Sequence, residues 1–199
     1  MLPLFAAAAV ATTTATTYHL DAAKSALTIH VFKAGVASPA LHDHDFHPST
    51  WSATVRFDPA DPATAHVELS IDAASLHDSN PELSAADETK VDDEAHTTIL
   101  DAAQFPTISV TADRFTVATT GSAGSWTGTL PATITMHGVS KPVDVPLTLA
   151  RDGDALHATG EVDVLQSDFG IKPFRKALGT IRIKDRLHVR FDVRAEPDR

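Results

Sequence analysis

The chain has 199 residues, of which 43% are hydrophobic and 21% are charged, and its formal net charge at pH 7 is -10. This length and composition are typical of a single compact domain, and the acidity argues against a broad basic face for nucleic acid or for an anionic membrane. The absence of cysteine excludes disulfides, thiolate metal sites and cysteine nucleophiles.

Residues 1–17 have the pattern of an export-signal remnant or of a disordered, Ala-rich tail. The apolar run of residues 2–11 ends in small residues before the polar tract of residues 12–17, although no Lys or Arg precedes it. We therefore expect a periplasmic or secreted protein whose one domain spans residues 18–199. No stretch reaches the roughly 18 apolar residues of a spanning helix, so we expect no permanent membrane anchor.

From Tyr18 onward, apolar and polar residues alternate with a period of two, which predicts strands that each bury one face. The alternation is clearest in segments 51–58, 66–72, 130–137 and 187–194. Parallel strands covered on both faces would instead give continuous apolar runs. The pattern therefore predicts an all-β fold of antiparallel strands around one interior, closed into a barrel without exposed sheet edges.

One acidic segment, residues 84–103, departs from this alternation. Val91, Ala95 and Ile99 recur every four residues, and Asp and Glu crowd the remaining positions. This spacing predicts an amphipathic helix with one narrow apolar face, ended by the Phe105-Pro106 pair because proline does not continue a helix. We expect the helix to lie across or beside the barrel.

The densest group of potential metal ligands is Leu41-His42-Asp43-His44-Asp45-Phe46-His47. On an extended chain His42 and His44 project to the same side, and His47 can turn towards them from the next residues. Imidazole suits Zn²⁺, Cu²⁺ or Ni²⁺, so His42, His44 and His47 predict a divalent metal site. The alternative is a polar loop whose histidines bond to the main chain or line the mouth of the barrel.

Three short motifs in the second half carry a family resemblance. They are Gln104-Phe105-Pro106-Thr107-Ile108-Ser109-Val110, then Gly128-Thr129-Leu130 leading to Met136-His137-Gly138-Val139-Ser140-Lys141-Pro142-Val143, and Ser167-Asp168-Phe169-Gly170-Ile171. In this order, after an acidic helical stretch, they resemble the YceI family over nearly all of the chain from Tyr18. The family often has Arg where this chain has Gln166, and a glycine and aromatic pattern where it has the His/Asp-rich segment, so the chain resembles a variant.

The resemblance implies a lipocalin-like antiparallel β-barrel of about eight strands with one lateral α-helix. It also implies that the interior holds a long isoprenoid or fatty-acyl molecule, whereas the residues alone leave open a fully packed interior. The candidate ligand-binding residues are Val55, Phe57, Leu69, Ile108, Val110, Leu130, Ile134, Phe169, Val189 and Phe191. Lys172, Arg175 and Lys176 would form either a basic rim for an acidic head group or a solvated loop.

No nucleophile elbow, phosphate-binding glycine loop, zinc-protease helix or dinucleotide fingerprint is present, so we expect no enzyme. The expected function is a binding or carrier protein for an isoprenoid quinone, a polyprenyl or a fatty-acyl molecule. Two alternatives stay open: a metal-binding or metal-dependent protein using the three histidines, and a packed barrel that contacts another protein. The sequence also leaves a homodimer open, and it implies no cofactor other than the divalent metal.

Overall fold

A computed structural model describes residues 15–35, 42–121, 124–176, 178 and 180–198. Residues 1–14, which hold most of the expected export signal, lie outside these ranges. No helix in the described ranges has both the length and the apolar character that crossing a membrane requires.

Within these ranges, thirteen antiparallel strands form one continuous sheet. The strands are β1 (Thr16–Leu20), β2 (Ala26–Ala34), β3 (His44–Pro48), β4 (Trp51–Phe57), β5 (His66–Asp72), β6 (Leu76–Asp78), β7 (Thr107–Ala112), β8 (Thr116–Gly121), β9 (Ser125–Met136), β10 (Val139–Asp152), β11 (Ala155–Leu165), β12 (Arg175–Lys176) and β13 (Ile181–Pro197).

Eight of these strands close into a barrel in the order β1-β4-β5-β7-β9-β10-β11-β13, and β13 pairs back to β1. Tyr18 shows the closure, because it lies opposite Val55 of β4 on one side and Pro197 of β13 on the other. Closure pairs the main-chain groups that an open sheet would expose at its edges. The predicted antiparallel barrel of about eight strands is confirmed.

The sheet divides at one end of the barrel. The 17-residue strand β13 is long enough to pair first with β2 and then, near its own end, with β1. From β2 the sheet continues to β3 and β6, and within the described chain the path ends at β6. At this end β6 does not pair with β7, so the sheet is open between them, and we call it the split end of the barrel.

The segment that connects β6 to β7 contains α1 (Ala85–Glu94), the one α-helix of the described ranges. Ser84 caps it, because its Oγ accepts a hydrogen bond from the main-chain N–H of Asp87 at 3.2 Å. A π-helical turn, Ala95–Ile99, extends it. The predicted lateral helix is confirmed, but it ends earlier than the Phe105-Pro106 pair, because Asp101 adopts a positive φ of 44° that breaks the helical path.

Two apolar clusters fill different parts of the interior. The first occupies the end opposite the split, where the fully buried Phe57 ring lies edge-to-face 5.1 Å from the Trp126 ring. The second lies at the split end and includes Met136 and Phe169. Phe191 packs against both clusters, so the barrel has one continuous core that is fully packed only at the first end.

Candidate functional site

An apolar cavity of about 290 Å³ lies at the split end, between the barrel strands and the helical segment. Fourteen of its nineteen lining residues are apolar: Ile29, Val31, Phe46, Leu76, Val91, Ala95, Ile99, Leu100, Ile108, Met136, Ile171, Phe174, Ile183 and Leu187. Its volume is near the lower limit for pockets that hold small molecules. The barrel interior is therefore open at this end.

The helical segment closes the cavity with the face that the four-residue spacing predicts. Val91, Ala95 and Ile99 all line the space. The π-helical turn that begins at Ala95 widens the helix at this point, a feature that occurs frequently at functional sites. The wall opposite the strands thus consists of side chains on one face of a single helical segment.

His44 places a polar atom at the cavity. Its Nδ1 lies 2.7 Å from Oδ2 of Asp78, whose side chain is completely buried. Oδ1 of the same carboxylate accepts a hydrogen bond from the main-chain N–H of Asp45 at 3.2 Å. Because a carboxylate only accepts, Nδ1 of His44 carries a proton, and in the neutral form of the ring Nε2 is an acceptor.

Gln166 is the second polar residue of the cavity wall, and it is only 2% exposed. Its Nε2 donates to the main-chain carbonyl of Lys184 at 2.9 Å, while its Oε1 has no hydrogen-bond partner among the described residues. No fully buried side-chain oxygen or nitrogen in the described ranges lacks a hydrogen-bond partner, so Oε1 keeps accessible surface at which a ligand or water can donate to it. His44 and Gln166 therefore both present acceptor atoms at this end of the barrel.

Charged groups also line the cavity: Lys90, Glu94 and Lys176. Lys90 donates to Oδ1 of Asp87 at 2.8 Å. This hydrogen bond, followed by that from Ser84, lowers the pKa of the exposed Asp87 carboxyl below its ordinary value. The apolar space is therefore bordered by three charged side chains.

A larger and more open groove of about 740 Å³ lies beside the cavity. The two spaces share Glu94, Ile99, Ile171 and Phe174 in their walls. The other residues along the groove include Lys172 and Arg175, so it runs past the basic residues that follow the third motif. A ligand longer than the cavity would continue into this groove.

The structure distributes the ten predicted ligand-binding residues over the two clusters. Ile108 lines the cavity itself. Four others pack in the apolar cluster at the split end: Leu69, Ile134, Phe169 and Val189. Phe191 packs against both clusters. The remaining four belong to the cluster at the opposite end: Val55, Phe57, Val110 and Leu130. The residues that sequence reasoning missed lie mainly on the helical segment and on the chain from Ile171 to Leu187.

The three predicted metal ligands have different partners. His42 Nδ1 lies 2.5 Å from Oε2 of Glu82, His44 bonds to Asp78, and His47 Nδ1 donates to the main-chain carbonyl of Leu27 at 3.1 Å. Across the described ranges, no three His, Asp or Glu side chains are grouped so as to hold a metal ion. The Zn²⁺, Cu²⁺ or Ni²⁺ site therefore stays a prediction that this arrangement of side chains does not favour.

Comparisons with known proteins agree with this fold. The chain is similar to BcnA of Burkholderia cenocepacia (TM-score 0.66, 22% identity, 88% of this chain and 98% of that chain). It is also similar to a polyisoprenoid binding domain from Saccharophagus degradans, implicated in plant cell wall breakdown (TM-score 0.66, 16% identity, 92% and 99% covered). A Campylobacter jejuni YceI protein matches with a TM-score of 0.58 and 18% identity over 77% of this chain and 84% of that chain.

Curated proteins give no significant match. The family model for the YceI-like domain matches residues 18–195, which is nearly the whole barrel. The chain therefore belongs to the YceI family.

Proposed function

We propose that this protein binds and carries a long apolar molecule whose chain lies in the cavity at the split end. The observation that carries the proposal is the lining of that cavity, in which fourteen of nineteen side chains are apolar. The name of the Saccharophagus degradans relative supports an isoprenoid as one class of ligand. Isoprenoid quinones, polyprenyl molecules and fatty-acyl molecules are the candidates.

The apolar chain of the ligand would supply most of the affinity. Burying one methylene contributes about 0.8 kcal/mol, so about twelve carbons contribute roughly 10 kcal/mol. This gain is comparable with the 4–15 kcal/mol or so that association costs in lost freedom of motion. Polar contacts would then orient the ligand rather than hold it.

His44 and Gln166 would orient the inner end of the ligand. Both present acceptor atoms, so the matching group is a neutral hydrogen-bond donor such as a hydroxyl or an amide N–H. A carboxylate or phosphate beside these two acceptors would receive no hydrogen bond from them, because the ammonium donors of the cavity wall belong to Lys90 and Lys176. At this inner end, reduced quinones, polyprenols and fatty amides are therefore better candidates than lipids with a carboxylate or phosphate head group.

The proposed role is sequestration and transfer, without catalysis. A periplasmic or secreted location, which the apolar run of residues 2–11 predicts, is part of the proposal. In such a compartment, a carrier shields an apolar chain from water between one membrane or enzyme and the next.

Native mass spectrometry of the protein purified from its own cells, recorded before and after chelation, tests the proposal. We expect a bound lipid that survives chelation and is identified after release. A protein that never carries lipid, even after incubation with polyprenols and fatty amides, would refute the carrier function. A stoichiometric metal without lipid would instead support the site at His42, His44 and His47.

A cavity-filling variant tests whether lipid binds in this cavity, and it does not require that the natural ligand is identified. Ala95→Trp places an indole in the cavity wall, so we expect loss of lipid binding. Ala86→Trp is the matched control, because Ala86 is exposed on the same helix and is not part of the wall. Equal lipid binding by both variants would show that the ligand lies elsewhere.

A further inference from the structure

The net charge of -10 conceals one strongly basic segment. Residues 172–184 contain five Lys or Arg and no Asp or Glu, whereas the other 11 of the 16 Lys and Arg residues are outnumbered by all 26 Asp and Glu. The charge asymmetry is therefore local and large. An acidic protein of this kind presents one surface to an anionic partner and repels it elsewhere.

The fold gathers these five residues at the split end. They are exposed and form what we call the basic end: Lys172, Arg175, Lys176, Arg182 and Lys184. Arg175, Arg182 and Lys184 line one shallow groove of about 280 Å³ on the outside of the barrel. Lys176 lines the apolar cavity, and Lys172 lines the open groove beside it. The basic end thus borders the site proposed for the ligand.

The positive charges of the basic end are not neutralised within the protein. Arg175 of β12 lies directly opposite Arg182 of β13, an arrangement of like charges that destabilises a sheet. None of the five cations has a carboxylate oxygen within 4.0 Å in the described part of the chain. Asp185 lines the same shallow groove and carries one negative charge, but its oxygens accept hydrogen bonds from the main chain and hydroxyl of Ser167, and the basic end keeps a net positive charge.

An apolar side chain projects from the same place. Leu178, between β12 and β13, is fully exposed, and Leu165 is the other large apolar side chain that the described residues expose. The φ of Leu178 is 56°, which a bulky residue adopts at a cost in free energy. An exposed leucine among lysines and arginines that have no carboxylate partner combines the two features by which peripheral proteins bind a membrane surface.

We propose that the basic end docks on a lipid bilayer that contains anionic lipids. The lysines and arginines contact the phosphates, and Leu178 enters the headgroup region. Lys176 and Phe174 line the cavity, so docking brings the mouth of the cavity to the bilayer. The use of this contact for loading or release of lipid depends on the proposed function, whereas the membrane contact itself does not.

Cosedimentation with phosphatidylcholine vesicles, prepared with and without phosphatidylglycerol, tests the docking surface. We expect binding only to vesicles that contain phosphatidylglycerol, and release at high salt. The triple variant Arg175→Glu, Arg182→Glu and Lys184→Glu should bind at least about 100-fold more weakly, since each basic residue near such a surface contributes roughly a fivefold change.

A matched triple variant separates the surface from the net charge. Arg56→Glu, Arg114→Glu and Arg190→Glu change the charge by the same amount at exposed positions outside the basic end. We expect this control to reduce vesicle binding much less than the variant of the basic end. Both variants should keep the wild-type unfolding temperature, because all six side chains are exposed.

Leu178→Asn tests the apolar contact separately. Asparagine tolerates a positive φ, so the substitution removes the apolar group without disturbing the turn. We expect vesicle binding to fall by about tenfold, while its salt dependence remains.

The docking surface is refuted if phosphatidylglycerol does not promote binding, or if the control triple variant weakens binding as much as the variant of the basic end. An acidic protein would then be the better partner for these residues. Lipid uptake from solution by the wild type distinguishes this failure from failure of the carrier function, because uptake requires the cavity and no vesicle. The double variant Arg182→Glu and Lys184→Glu should leave this uptake unchanged, because neither residue lines the cavity or the open groove.

Discussion

His44 and Asp78 connect three of the elements that surround the cavity. Nδ1 of His44 on β3 lies 2.7 Å from Oδ2 of Asp78 on β6, and the carboxylate is completely buried. The main-chain N–H of Asp78 donates to Oδ1 of Asp92 on α1 at 2.7 Å. A single aspartate thus fixes the ring of His44 and attaches the helix to the divided sheet.

Asp78→Asn should change the preference for the ligand head group. The amide N–H₂ of asparagine would donate to Nδ1 of His44, so that Nε2 would carry the proton and become a donor. We expect the preference for a fatty alcohol over a fatty acid of equal length to fall or reverse in competition binding. We also expect a loss of stability of about 1–3 kcal/mol in denaturant unfolding, because a buried charge-assisted hydrogen bond is lost.

Asp93→Asn is the control for Asp78→Asn. Asp93 is exposed on α1, so this variant makes the same chemical change away from the cavity. An unaltered preference in Asp78→Asn, with the expected loss of stability, would show that His44 does not contact the ligand.

Phe57 allows the packed end of the barrel to be tested separately from the open end. Phe57→Leu should lower the free energy of unfolding by about 1–3 kcal/mol, because it leaves a void against the Trp126 ring. We expect unchanged lipid affinity, since Phe57 is not part of the cavity wall. Isothermal titration calorimetry and denaturant unfolding measure the two quantities.

Ile108→Ala is the comparison at the open end, because Ile108 lines the cavity. It should lower stability and shift the preferred ligand to a longer chain, since it enlarges the cavity. A fall in lipid affinity in Phe57→Leu equal to that in Ile108→Ala would contradict the division of the core into a packed end and an open end.

The sequence predicted the faces of the elements because each face has a simple period. Val55 and Phe57 face inward as the alternation requires, and Val91, Ala95 and Ile99 face the cavity as the four-residue spacing requires. These outcomes depend only on the geometry of one strand or one helix. The fold class therefore followed from the sequence pattern together with the family resemblance.

The position of the open space could not be predicted in this way. Phe57 and Ile108 have the same alternation, yet one is in the packed end and the other lines the cavity. Period two gives the direction of a side chain and no information about its depth along the barrel. That depth depends on the end of the sheet at β6 and on the register shift between Ile183 and Leu187.

The role of His44 was equally inaccessible from local sequence. His42, His44 and His47 are equivalent as potential ligands in an extended segment, and only the tertiary structure separates them. The partner that fixes His44 is 34 residues away, on β6. Spacing alone favoured a shared metal, whereas the structure gives each histidine its own acceptor.

Gly160 should not tolerate a side chain. It lies opposite Phe191 on β13, and a Cβ at this position would be 2.4 Å from the main-chain oxygen of Pro146 and 2.5 Å from Cζ of Phe191. Gly160→Ala should lower the free energy of unfolding by about 1–3 kcal/mol, because the main-chain contact has no room to relax.

Gly153→Asn is the control for Gly160→Ala. Gly153 has a φ of 65° with no atoms near its would-be Cβ, and asparagine tolerates this conformation. Denaturant unfolding should show little change in Gly153→Asn. A neutral Gly160→Ala would show that β10 and β13 approach β11 less closely than this packing requires.

His66 should titrate above its ordinary pKa. The hydrogen bond from Nδ1 to Oδ1 of Asp113 at 2.8 Å raises its pKa above 6.5, and Glu68, 3.2 Å from Nε2, adds to the effect. Because the folded protein binds the proton more tightly than the unfolded chain, the stabilisation is complete below the unfolded pKa of about 6.5. It is lost as the pH rises through the higher folded pKa.

Asp113→Asn should therefore lower the His66 pKa and destabilise the protein more at about pH 5 than at about pH 8. The effect on stability is small, because solvent screens an exposed pair. NMR titration of the His66 ring and thermal unfolding at both pH values measure the two quantities, with Asp144→Asn as an exposed control of equal charge change. A His66 pKa that is the same in wild type and Asp113→Asn would assign the shift to Glu68, and one that is not raised would contradict both contacts.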